Sequence, residues 1–107
     1  MLVAFSVAPS VPADSDGSVS AAVAAAVTVV RESGLPHRTS SMFTEVEGEW
    51  DEVMAVVKGA VDAVAGFGPR VSLVLKADIR DGYAGELTAK LDRLEAAIDA
   101  QEPRRRA

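Results

Sequence analysis

Apolar and polar positions along this chain divide it into a succession of short elements. Residues 2–8 are rich in β-formers and stop at Pro9, which predicts a strand. Residues 9–17 hold prolines, aspartates and small polar residues, the composition of a loop. Ser18 is placed to cap a helix in which Val19, Val23, Val27 and Val30 recur at helical spacing beside Ala22 and Ala26. The alanines offset the modest helix propensity of valine. Gly34 ends this helix and Pro36 forbids its continuation. Residues 37–42 and 43–47 are two short extended pieces, expected to form a hairpin or bent pair although no clear turn is written between them. A second helix is predicted over 49–65, burying Trp50, Val53, Val57, Val61 and Val64. Gly66 and Gly68 stop it, and residues 71–77 give the strongest strand signal of the chain. Asp81-Gly82 then turns into a last helix with Tyr83, Leu87, Leu91, Leu94 and Ile98 on its stripe, and residues 103–107 form a frayed basic tail.

The order strand, helix, strand, strand, helix, strand, helix predicts an α+β fold. Right-handed crossovers make its first six elements a ferredoxin-like βαββαβ sandwich with an antiparallel sheet, followed by a C-terminal helix. A chain of 107 residues has room for one core, so residues 1–102 are expected to form a single domain, with 103–107 as a tail. Alanine and valine dominate the apolar residues, and only 5% are aromatic. A core of such small side chains is limited in area, so self-association is a natural source of further burial. A net charge of −5 argues against nucleic acid or an anionic membrane as the main partner. The chain has no cysteine, hence no disulfide and no thiolate metal site. No run approaches the ~20 apolar residues of a membrane span, and residues 2–8 are too short for a signal-peptide core, so a cytoplasmic protein is expected.

Strand alternation sorts side chains between the helix-covered face of the sheet and its other, open face. Val3, Phe5 and Val7 suit the covered side of the first strand, leaving Leu2, Ala4 and Ser6 on the open side. Val71, Leu73, Leu75 and Ala77 suit the covered side of the last strand, leaving Ser72, Val74, Lys76 and Asp78. On the third strand Val46 suits the core, so Phe43, Glu45 and Glu47 share the open face. An apolar floor with a few placed polar groups is characteristic of a ligand pocket, and here also of a subunit interface. The run from Thr44 to Val53 packs acids and a tryptophan around a strand–helix junction. Glu49, Asp51 and Glu52 suit the positive end of the helix dipole. Glu47 lies on the strand and has no such role, so it is the first functional candidate of the run. Lys76 and Glu47 also suit an exposed cross-strand ion pair, contributing about 0–1 kcal/mol, and Ser6 suits a satisfied small residue.

No nucleophile elbow, phosphate-binding glycine loop or His-based dyad is present. The single histidine, His37, has no second ligand to join it in a metal site. Nothing in the chain argues for an enzyme.

The chain resembles the small ferredoxin-like thiamine-binding proteins, long catalogued as uncharacterised. The resemblance is carried by Phe5-Ser6-Val7-Ala8-Pro9, Glu32-Ser33-Gly34-Leu35, Met42-Phe43-Thr44, Glu47-Gly48-Glu49-Trp50-Asp51-Glu52-Val53, Pro69-Arg70-Val71 and Leu75-Lys76-Ala77-Asp78-Ile79-Arg80. It implies a compact domain forming homodimers or homotetramers. It also implies non-catalytic binding of thiamine or its hydroxymethylpyrimidine moiety as ligand, with no catalytic cofactor and no metal. The site residues expected on this basis are Ser6, Met42, Phe43, Thr44, Glu47 and Lys76. A carboxylate such as Glu47 suits the exocyclic amine of an aminopyrimidine, and Ser6, Thr44 or Lys76 suits its remaining positions. Phe43 and Ser41 depart from the family pattern, Phe43 being larger than expected and Ser41 standing where proline is frequent. The competing expectation is a ligand-free interaction protein that oligomerises through its open sheet face.

Overall fold

The computed structural model describes residues 1–10 and 19–106, with side chains as far as Gln101. The Ser18 cap and most of the first loop lie outside the described residues. The elements are β1 (Leu2–Pro9), α1 (Ser20–Glu32), β2 (His37–Thr39), β3 (Thr44–Glu47), α2 (Trp50–Ala65), β4 (Val71–Asp78) and α3 (Glu86–Arg106). The sheet runs β2-β3-β1-β4 with every pairing antiparallel, the strand order of a ferredoxin-like sandwich.

One face of the sheet carries Val3, Phe5, Val7 and Val46 into a core closed by Ala22, Ala26 and Val30 of α1 and by Val53, Val57, Ala60 and Val64 of α2. These side chains are small, so the two helices must approach closely. Gly59 permits this, because a Cβ there would stand 3.0 Å from Val29 Cγ1. At the start of α2 the Glu49 N–H donates to Glu52 Oε1 at 3.2 Å, and Asp51 and Glu52 fill the first turn. The acids at this helix start therefore stabilise its free amides. Gly34, after α1, adopts φ 77°, which glycine accepts without strain.

Several expectations need correction. Trp50 is 55% exposed, because it is the first residue of α2 and precedes the turn that faces the sheet. Tyr83 is not on the last helix, which starts at Glu86. Its ring instead lies 3.6 Å from the Arg80 guanidinium carbon in the preceding turn. Residues 103–106 continue α3 rather than fraying from it. β2 ends at Thr39, not at Met42, and β3 begins at Thr44.

Val53 is fully buried between α2 and the sheet. Val53→Ala should cost about 2 kcal/mol, seen as a lower urea midpoint at unchanged slope.

Candidate functional site

Two cavities flank the β2–β3 hairpin. The first exists because β1 and β3 differ in length. β1 pairs with β4 from Leu2 through Pro9, but with β3 only from Leu2 through Phe5. Past Thr44 the chain leaves the sheet in a turn over Ser40–Phe43. There the Ser40 N–H donates to the Phe43 carbonyl at 2.8 Å. The Ser40 hydroxyl donates to the same carbonyl at 3.0 Å and accepts the Phe43 N–H at 3.3 Å. No residue of this turn has a positive φ. A serine side chain thus does the work usually done by an Asn-Gly or Gly-rich pair, which is why the turn is not legible as a motif.

The space left beside Ser6–Ala8 is a cavity of about 230 Å³ between this turn and the valine face of α1. Its walls include Val23, Val27, Met42, Phe43 and Thr44, and none of its lining residues among those described is ionisable. By register Thr44 shares the covered face with Phe5, whereas Ser6 pairs with Val74 on the opposite face. The cavity reaches both because β3 does not extend past Thr44. Thr44 is 8% exposed, and its hydroxyl has no hydrogen-bond partner among the described residues.

The second cavity, about 350 Å³, lies on the open face beneath the start of α3. Its floor is a row across the sheet, Arg38–Glu45–Ala4–Lys76, with Leu2 and Asp78 in the next row. Leu87, Lys90 and Leu91 of α3 form the roof and Phe43 closes one end. Lys90 pairs with Asp78, and Arg93 with Glu86 Oε2 at 2.7 Å. Glu86 Oε1 is buried without a partner.

Glu47 lines neither cavity. Its Oε2 accepts the Glu86 N–H at 2.8 Å and its Oε1 the Leu87 N–H at 3.3 Å. It is 7% exposed. The strand carboxylate therefore caps a helix after all, one that begins 39 residues later. The expected Lys76–Glu47 pair is not made, since Lys76 stands in the Glu45 row and Glu47 is held by α3. Of the six expected site residues, Ser6, Met42, Phe43 and Thr44 meet at the hairpin cavity, and Phe43 and Lys76 at the open-face cavity. Sequence reasoning missed the α1 wall of Val23 and Val27, whose helical spacing reads equally well as core. His37 is held by a 2.9 Å contact between its Nδ1 and the Leu35 carbonyl, and no cluster able to hold a metal occurs among the described residues.

The sequence profile described as thiamine-binding protein matches residues 3–95. The chain belongs to the thiamine-binding protein family. Among curated relatives of this family member, UPF0045 protein Mb1933 of Mycobacterium bovis is 49% identical over 96 residues, covering 89% of this chain and 91% of the relative. UPF0045 protein sll0230 of Synechocystis is 34% identical over 83 residues, covering 77% of this chain and 69% of that one. Among solved structures, hypothetical protein MJ1052 of Methanocaldococcus jannascii superposes with a TM-score of 0.78 at 29% identity, covering 88% of this chain and 94% of that one. Protein TM0486 of Thermotoga maritima, assigned provisionally to thiamine biosynthesis or salvage, superposes with a TM-score of 0.64 at 27% identity, covering 84% and 97%.

Removing the cap separates the role of Glu47 from that of the cavities. Glu47→Ala should destabilise the docking of α3 by about 1–2 kcal/mol. Amide exchange should then quicken at Glu86 and Leu87 while the amides of α2 keep their protection.

Proposed function

We propose that this protein binds thiamine or its hydroxymethylpyrimidine moiety without turning it over, in the hairpin cavity, as a cytoplasmic carrier, sensor or salvage accessory. The observation that carries the reading is the lining of that cavity. Hydroxyl and peptide groups without partners among the described residues are set among valine, methionine and phenylalanine walls, and none of the described lining residues is charged. A neutral aminopyrimidine offers a flat apolar face and a small set of ring-edge donors and acceptors, which suits such a lining. Phe43 supplies a flat face of its own. Membership of the thiamine-binding family and the provisional assignment of TM0486 support the ligand class.

Thr44→Val tests the site. Its hydroxyl has no partner among the described residues and remains open to solvent at the cavity, so an isosteric methyl should leave the melting temperature about equal. Calorimetric affinity for hydroxymethylpyrimidine should nevertheless fall roughly 5- to 10-fold as a hydrogen bond is lost. Absence of heat and of thermal shift with thiamine and with the pyrimidine would remove the proposal.

A homo-oligomer accompanies this reading. Leu91, Leu94 and Ile98 lie along α3 at helical spacing and are 45%, 54% and 37% exposed. The radius of gyration is 17.0 Å, against about 13 Å expected for a compact chain of this length. A projecting helix with a bare apolar stripe favours burial against a second copy. Leu94→Glu should halve or quarter the mass measured by sedimentation equilibrium. An unchanged mass would place the contact elsewhere.

A further inference from the structure

Building on the binding reading above, we infer that the ring edge of the ligand is read by the main chain of Val7, whose N–H and C=O stand side by side, unpaired, at the hairpin cavity. Their direction follows from the ladder. In antiparallel pairing the N–H and C=O of one residue point to the same neighbour, and successive residues alternate between neighbours. The Ser10 N–H donates to the Arg70 carbonyl at 3.0 Å, so Ser10, Ala8 and Ser6 address the β4 side. The Gly48 N–H donates to the Met1 carbonyl at 3.1 Å, so Met1, Val3, Phe5 and Val7 address the β3 side. Val3 meets Val46 and Phe5 meets Thr44. The next residue of β3 to meet Val7 would be Met42, but the chain has already turned outward between Ser40 and Phe43.

Both peptide groups of Val7 are therefore without a partner among the described residues. Val7 lines the cavity, and it is only 7% exposed. Peptide groups at so buried a residue call for a partner.

The chemistry of that partner is set by the geometry. A donor beside an acceptor on one strand edge is complementary to an acceptor beside a donor on a planar ring. An aminopyrimidine has that edge, a ring nitrogen next to an exocyclic amine. Two parallel hydrogen bonds would seat it between the Phe43 turn and α1. An added peptide strand fits poorly, because the next residue on this edge, Pro9, has no N–H to offer and ends β1.

The test uses the full chain labelled with ¹⁵N and two probes, 4-amino-5-hydroxymethyl-2-methylpyrimidine and the same compound lacking the amine. With the first, the Val7 amide resonance should move downfield and its exchange with solvent should slow by about tenfold or more. The second should bind about tenfold more weakly, since it leaves the Val7 carbonyl unpaired. Thr44→Val should weaken both probes while preserving their ratio, because the amine is read by backbone that the substitution does not touch. Binding of the amine probe with Val7 unmoved, or equal affinity for the two probes, overturns the inference and leaves the binding function standing. Movement of Val7 with an extended peptide but not with the pyrimidine also overturns it. No binding of either probe overturns both readings.

Discussion

Unequal pairing along β1 is the constraint on which the rest of the structure depends. On one side β4 follows this central strand for its whole length, and on the other β3 stops halfway. The Ser40 hydroxyl fixes the stopping point by closing the hairpin before β3 can reach Val7. Everything attributed to the hairpin cavity follows from that point. Thr44 becomes a rim residue, Met42 and Phe43 swing out as walls, and a stretch of central strand that would ordinarily be paired faces the valines of α1. A sheet completed by two more residues of β3 would have the same core and no cavity.

The other end of β3 shows the converse. There the pairing is complete, and the spare polar group is Glu47, which extends the order of the sheet to α3 by accepting its first two amides. α3 thereby covers the Glu45–Ala4–Lys76 row, while the rest of its length projects from the body of the domain with leucines exposed. One short strand thus organises both faces of the sheet. It opens a hollow with no ionisable residue in its described lining on the α1 side and anchors the helix that shelters a charged hollow on the open side. The hollow whose described lining is uncharged is the one proposed for a heteroaromatic ring. In the charged one Asp78, Lys90 and Glu86 already have protein partners.

Local signals made most of the fold legible in the sequence. The valine periodicity of α1 and α2, the prolines and glycines that bound them, and the β-rich runs at each end gave the element order and hence the sandwich. Parity along the strands placed Leu2, Ala4, Glu45, Lys76 and Asp78 on the open face, where the register puts them. Features that depend on distant contacts escaped. Glu47 had no visible structural role because its partner is a helix start far away in sequence. Trp50 fitted the helical stripe, but the direction of a first-turn residue is set by how the helix meets the sheet. The Ser40 turn carries no glycine or asparagine, so the premature end of β3 was not readable. A backbone recognition edge leaves no side-chain signature at all.

The central claim is that the ligand occupies the gap left by β3. It is tested most directly by a crystal structure of the protein soaked with hydroxymethylpyrimidine. The account predicts ring density between α1 and the Ser40–Phe43 turn, with its amine edge against β1. Density beneath α3 on Glu45 and Lys76, with the hairpin gap filled only by solvent, would contradict it.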